Sequence, residues 1–323
     1  MEERKLKIKA ARGEMNKLGG TMIVYYLIMN AAVSIVMLAD ACIYLIGALI
    51  KGTPLGINDI INRILDFATS NGWGYILAIA AGVVILLIWK GKGFFGEMFT
   101  RQKRMTPGVF VAILCVFLLP QALLQVYAPA LEWVLNQMGL SAMAALEMAT
   151  IQTDTVSMFL YVAFLGPVAE ELLCRGLLLR MLRPWGKQAA IVVSAIAFGL
   201  LHGNIIQIPF AFLVGLVLGY VTVEYSIIWA MVLHIINNFV LSDLIARLEK
   251  IAPELASVLF WGILVAAAIA SVVLLIVKIE EVKDFFRNNK VEAVTWRGLL
   301  SSAAMWIFAA MMLLSSLLTV TRI

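Results

Sequence analysis

Charge is scarce in this sequence. Asp, Glu, Lys and Arg make up 14% of its 323 residues, about half the share usual for a soluble domain. A chain so poor in charge cannot cover a globule of this length with solvated side chains, which excludes that class. Histidine is nearly absent, with two copies, and there are three cysteines. Cys42, Cys115 and Cys174 lie within apolar runs at no metal-ligand spacing. They make neither a disulfide framework nor a thiolate zinc site, and they read as small core residues. There is no low-complexity tract, no soluble domain and no internal repeat.

Apolar residues fill the gap, at 63% of the chain. A membrane helix needs roughly 20 mostly apolar residues. Such runs recur, and nine spans are expected at about 21–50, 73–89, 108–128, 156–180, 188–203, 206–223, 227–246, 255–277 and 299–320. The fifth to seventh are crowded enough to include a re-entrant or tilted segment. The first run is much longer than a signal-peptide core and lacks a small-residue cleavage site, so it reads as a retained span. The semi-apolar stretch 129–155 is expected to form an amphipathic helix on the outer surface.

The net charge of +5 points to loops that set topology and meet anionic lipid, not to nucleic acid. Arg4, Lys5, Lys7, Lys9, Arg12 and Lys17 precede the first span. Lys90, Lys92, Arg101, Lys103 and Arg104 follow the second. Arg180, Arg183 and Lys187 follow the fourth, and Lys278, Lys283, Arg287, Lys290 and Arg297 the eighth. Nine spans put these four segments on one side. The N-terminus is therefore expected in the cytoplasm and the C-terminus outside, in the cell membrane if the source is bacterial.

Ionisable groups at membrane depth are costly and usually functional. Here they cluster between residues 170 and 238. Glu171 and Arg175 are four apart, share a helical face and can pair. Glu170 lies about 100° away around the helix, keeps its lone pairs free and suits a general base. The plain alternative is that both glutamates only lock helices together. The two histidines, His202 and His234, fall in the same region and can orient water, take a proton or bind a metal. His234 and Asn238, four apart, can donate hydrogen bonds to an oxyanion, and Asn237 is an alternative donor. Interhelical hydrogen bonding is the structural counterpart of that reading. Phe198, four before His202, either lines the pocket or packs the core. Gly166-Pro167 is expected to kink the fourth span and open space for water. Asp40, Glu224, Asn204 and Gln207 read as helix contacts or loop solvation.

Taken in order, Glu170-Glu171-x-x-x-Arg175, Phe198-x-x-x-His202 and His234-x-x-x-Asn238 resemble the motifs of the CPBP intramembrane protease family. That family includes the CAAX prenyl endopeptidases and the bacteriocin-processing, Abi-like self-immunity proteins. The resemblance covers about 156–246. It implies that Glu170 activates water, His202 holds it, His234 and Asn238 stabilise the oxyanion, and Glu171 with Arg175 supports the site. It leaves the metal open: Glu170, His202 and His234 make a candidate three-ligand zinc set, while Asn238 is a poor zinc ligand and favours a metal-free glutamate mechanism.

The expectation is an all-α, multi-pass transmembrane bundle of about 8–9 spans around an intramembrane polar cavity that opens to the cytoplasm or laterally to lipid. A catalytic core at 151–250 is expected between transmembrane regions 1–150 and 251–323 of unassigned role. The expected activity is intramembrane hydrolysis of a peptide bond in a prenylated CAAX-type protein or a bacteriocin or signal-peptide precursor. A proton-coupled transporter and a non-enzymatic scaffold are the competing classes; no inverted symmetry supports the former. Counting along the spans puts Glu170 and His234 in the cytoplasmic halves and His202 nearer the outer end, a mismatch for a single site. Oligomeric state is not legible.

Overall fold

A computed structural model describes residues 1–54, 56–143 and 153–323. The described chain is nearly all helix. In order the elements are α1 (Glu2–Lys51), α2 (Ile57–Ser70), α3 (Trp73–Met98), α4 (Pro107–Gln137) and β1 (Leu140–Ser141), then α5 (Val156–Trp185), α6 (Lys187–Leu201), α7 (Gln207–Glu224) and α8 (Ile227–Ile251), then α9 (Pro253–Val277), α10 (Ile279–Asn288), α11 (Ala293–Leu300), α12 (Ala303–Leu318) and β2 (Thr321–Arg322).

Seven of the described helices, namely α1, α3, α4, α5, α7, α8 and α9, are long and apolar enough to cross a membrane. An eighth span results if α11 and α12 count as one, bent by 61° at their break. The protein is thus a multi-pass helical membrane protein. Two of the nine expected spans differ in detail. The fifth is the 15-residue α6, about 22 Å long and short of the ~30 Å hydrocarbon core. The ninth is the bent pair, broken at Ser301-Ser302, where Ser302 caps α12 by accepting from the Met305 N–H at 3.2 Å.

The basic N-terminal tail is not a loop before the first span. It is the opening of α1, whose 50 residues extend about 75 Å. Ala11, Met15 and Leu18 are buried, and Asn16 Oδ1 accepts from the Ser302 hydroxyl at 2.7 Å. The segment 51–72 likewise contains the amphipathic α2, tied to α1 by Arg63, which donates twice to Asp40 at 2.7 Å. In α3 the apolar run ends at Gly91, whose φ of 76° breaks the helix beside Lys90 and Lys92. Of the stretch 129–155, the first part continues α4 to Gln137. Residues 144–152 lie outside the described residues. Of the cysteines only Cys174 is fully buried, and Cys42 is exposed on α1.

Contacts sort the loops into two ends. At one, Lys7 pairs with Glu292 at 2.9 Å, Arg180 pairs with Glu97, and Glu224 receives Lys103 and, at 2.8 Å, Lys187. At the other, β1 pairs with β2, Thr155 donates to the Ser70 carbonyl at 2.5 Å, and Lys250 pairs with Asp154 at 3.0 Å. The helices around the middle of the sequence, α5 to α8, are the most buried; α1, α3, α4 and α9 carry exposed apolar side chains such as Leu49, Ile88, Val126 and Val258.

Small residues bring α6 and α7 together, as expected where helices pack without a hydrophobic drive between them. A Cβ on Gly215 would sit 3.0 Å from the Ala195 Cα and 3.3 Å from Arg175 Nη2. Gly215→Val is therefore expected to cost about 1–3 kcal/mol through overpacking, read as a lower midpoint for detergent unfolding. An equal midpoint would show that the α6–α7 contact tolerates the extra methyls.

Candidate active site

Three π-helical segments frame the candidate residues: Tyr161–Leu165 and Leu172–Leu179 in α5, and Ile236–Leu244 in α8. Such turns are rare and often occur at functional sites. The first has a local cause. The Gly166 N–H bonds back five residues to the Tyr161 carbonyl. In the same register Val162 would accept from residue 167, but Pro167 has no N–H. Asn238 of α8 supplies the missing donor, with Nδ2 3.1 Å from the Val162 carbonyl. The helix passes through Gly166-Pro167 without leaving helical φ and ψ, so the expected kink is replaced by a widened turn and a side-chain bond from α8.

This bond gives Asn238 a structural task. Its Oδ1 also accepts from Asn237 Nδ2 at 3.1 Å. Both asparagines line the same cavity. Pro167→Ala restores the backbone donor, so Asn238→Ala should then destabilise less than it does in the wild type. A double-mutant cycle is expected to give a coupling of about 0.5–1.5 kcal/mol; additive midpoints would mean that the two donors do not compete.

The charged centre lies deeper. Arg175 Nη1 donates to Glu171 Oε1 at 2.9 Å, and its Nη2 donates to the Gly215 carbonyl at 3.1 Å. Both side chains are wholly buried. His234 Nδ1 lies 3.0 Å from the same Glu171 Oε1. A carboxylate paired with Arg only accepts, so Nδ1 carries the hydrogen and Nε2 faces the next group with its lone pair. That group is Glu170, with Oε2 3.8 Å from His234 Nε2. Glu170 is about a third exposed, at 35%, and Glu171 not at all. Two adjacent glutamates are thus divided between a buried anchor and a cavity wall.

His202 caps the C-terminus of α6. Its Nδ1 is 2.9 Å from the Phe198 carbonyl, an acceptor, so the free ring nitrogen is again Nε2. The Phe198 ring stands edge-on to His202 at 4.9 Å and to His234 at 5.5 Å, and the Arg175 guanidinium lies 4.3 Å above it. The depth mismatch expected for His202 disappears because α6 is short: from Lys187 it ends about as far from its basic end as Glu170 lies from Trp185 on α5.

Glu170, Phe198, His202, His234, Asn237 and Asn238 share one cavity of about 470 Å³. Its mouth is bordered by Thr153, Asp154, Arg247 and Lys250, at the end opposite the basic loops. No residue of the basic loops lines this cavity, while a separate cavity of about 410 Å³ at their end reaches Arg175 and Gly176. α6 and α7 form a short hairpin whose tip, tied by the Ile206 carbonyl to Tyr127 Oη at 2.6 Å, stops below the end of α4 and leaves the space above it open. The wall also includes residues beyond the motifs. Asp243, buried and bonded to Arg247 at 2.8 Å, was detectable as an acid within a span four residues before an arginine. Tyr161, stacked on Tyr75 at 4.7 Å, carried no signal. Gln121 and Leu124 of α4 line it too, so the region before residue 150 contributes to the cavity.

The candidate zinc set does not form a preformed site. Among the described residues no three His, Cys, Asp or Glu side chains converge so as to hold a metal ion. Glu170 and His234 approach each other, while His202 is held by its own backbone turn.

Residues 152–240 match the model of a family described as Type II CAAX prenyl endopeptidase Rce1-like. Searches of curated proteins and of solved structures gave no match. The matched segment contains all three motifs and the helices that hold them. Over residues 152–240 this multi-pass membrane protein is therefore similar to the type II CAAX prenyl endopeptidase Rce1-like family.

Proposed function

We propose that the protein is an intramembrane endopeptidase that hydrolyses a peptide bond of a membrane-associated substrate by a glutamate-activated water. One observation carries the reading: Glu170 stands in a cavity, 3.8 Å from a histidine that Glu171 and Arg175 hold in one tautomer. A single water can touch both Glu170 Oε2 and His234 Nε2 at ordinary hydrogen-bond lengths of about 2.8 Å. Glu170 takes the proton as the water oxygen attacks the scissile carbonyl. His202 lines the same cavity and limits where that water can sit. The negative charge formed on the carbonyl oxygen is met by the amide hydrogens that Asn237 and Asn238 retain, while His234 Nε2 accepts the water's second hydrogen and orients its attack. The proton on Glu170 then passes to the leaving amine. Phe198 keeps both imidazoles and Arg175 in register.

In this reading 151–250 is the catalytic core, and the flanking regions 1–150 and 251–323 supply cavity wall and membrane anchorage. The substrate is a prenylated CAAX-type protein or a peptide precursor, and the N-terminus faces the cytoplasm. The test is cleavage of a fluorogenic peptide library, prenylated CAAX peptides included, by the protein in lipid nanodiscs. Wild type and Glu170→Gln run side by side, with and without a zinc chelator. Glu170-dependent cleavage that persists in chelator supports the proposal. Loss of cleavage in chelator, restored by zinc, overturns the water-activation step as written. Absence of Glu170-dependent cleavage overturns the enzymatic reading.

A further inference from the structure

The turn between α7 and α8 is two residues, Tyr225 and Ser226. The segment that leads into α4 is strapped across it. The Gln102 N–H donates to the Tyr225 carbonyl at 2.8 Å, and Lys103 pairs with Glu224. Between the starts of α4 and α8 this leaves a cavity of about 410 Å³, distinct from the one that holds Glu170. Arg101, Lys103 and Arg104 line it from one side, and Ser226, Ile228 and Trp229 from the other. Glu224 is shared between Lys103 and Lys187. Arg101 and Arg104 form no ion pair with any described residue, so the lining keeps an excess of positive charge. Ser226 is the N-cap of α8 and 1% exposed, yet its hydroxyl makes no capping bond, and its Oγ has no hydrogen-bond partner among the described residues. A buried polar group left unpaired is costly and rare in native structures. The first N–H groups of α8 lack intrahelical acceptors as well, and a helix N-terminus favours negative charge.

We propose that this cavity binds a phosphate group that carries no cation of its own, that of an anionic phospholipid headgroup or of a soluble phosphate. The donor set fits that chemistry. Guanidinium forks bind phosphate oxygens in pairs, and the Ser226 hydroxyl with the first N–H groups of α8 offers donors from the opposite wall. The surroundings favour the lipid as the source. α4 and α8 are both spans and begin at the cavity, which puts it at the depth where helices enter the membrane. Ile228 is 37% exposed, and Met105 and Trp229 continue an apolar wall below the arginines. An acyl chain can follow that wall while the phosphate stays with the cations, and Trp is a usual residue at this depth. Phosphatidylcholine would bring its own cation against Arg101 and Arg104. The proposal does not depend on the endopeptidase reading.

The test is a titration of the full chain, stripped of lipid in detergent, with dioctanoyl phosphatidylglycerol, dioctanoyl phosphatidylcholine and inorganic phosphate. Native mass spectrometry reads the bound species, and the unfolding midpoint reads the affinity. Phosphatidylglycerol is expected to bind as a single tight adduct and to raise the midpoint, and phosphatidylcholine is not. Arg101→Gln with Arg104→Gln should weaken that binding about 100-fold, about tenfold for each charge-assisted contact. Ser226→Ala should weaken it about fivefold. Because the wild-type hydroxyl is unpaired, the midpoint of that variant without ligand should equal or exceed the wild type's. Lys5→Gln with Lys9→Gln removes the same charge from exposed positions outside the cavity and should leave the affinity unchanged. Inorganic phosphate bound in preference to the lipid, with the same dependence on Arg101 and Arg104, makes the source soluble phosphate and upholds the site. Equal binding of the two lipids overturns the proposal, and so does equal weakening by the arginine pair and the lysine pair. Failure of the wild type to bind either phosphatidylglycerol or phosphate overturns it too. If the arginine pair does not fold, Ser226→Ala decides: an affinity equal to the wild type's overturns the site.

Discussion

Glu170→Gln is expected to lower kcat by about 100- to 10,000-fold, the range that a positioned general base supplies, with little change in KM or in the unfolding midpoint. Glutamine keeps the shape and volume of the side chain but cannot take a proton from water. Glu170 contributes no hydrogen bond to the buried network, which is built on Glu171, so folding should not depend on its charge. Glu170→Asp keeps the carboxylate and withdraws it by one methylene. Misplacement of a reacting group by about 1 Å costs on the order of 100-fold, so activity should fall between those of the wild type and the glutamine variant. Steady-state cleavage paired with thermal unfolding in detergent reads both quantities. A glutamine variant as active as the wild type would remove Glu170 from the reaction, and one that fails to fold would make it a structural residue.

Arg175 should show the opposite balance. Arg175→Ala leaves the Glu171 carboxylate buried with one partner, and frees the Gly215 carbonyl. Breaking a buried pair in this way costs about 3–5 kcal/mol, so low yield and a lower unfolding midpoint are expected. Replacing both partners by apolar residues of similar size, Glu171→Leu with Arg175→Met, removes the uncompensated charge and should recover most of that stability. Activity should not return. His234 Nδ1 then has no acceptor, its tautomer is no longer set, and removal of an orienting carboxylate from a hydrolytic triad costs on the order of 10,000-fold. Stability and turnover would thus separate in the double variant. Recovery of both together would mean that the pair only holds helices in place.

The two glutamates illustrate how much was legible before any fold was known. Their adjacency puts them on different helix faces by geometry alone, and the i, i+4 spacing assigns Arg175 to Glu171. That Glu171 also holds His234, 63 residues on, required α5 and α8 to pack. Asn238 shows the limit from the other side. Spacing puts it on the face of His234, yet the π segment from Ile236 and the missing N–H of Pro167 send it to Val162. A change of helical register within a few residues leaves no periodic trace in the sequence.

The sequence by itself determined that the chain is a helical membrane protein, roughly where it crosses, which end is basic, and which few polar residues lie at membrane depth. These follow from local quantities: the apolarity of a run of residues, the count of cations in a loop, and the cost of an ionisable group in lipid. Tertiary structure alone decided that α6 is short enough to bring His202 level with Glu170 and His234, that α4 and Asp243 help to line the cavity, and that the cavity wall extends to Asp154 and Lys250. Those depend on how far helices distant in sequence extend past one another. In a bundle that distance is set by glycine contacts such as Gly215 on Ala195 and by bonds such as Tyr127 to Ile206, which join residues that no sequence period relates.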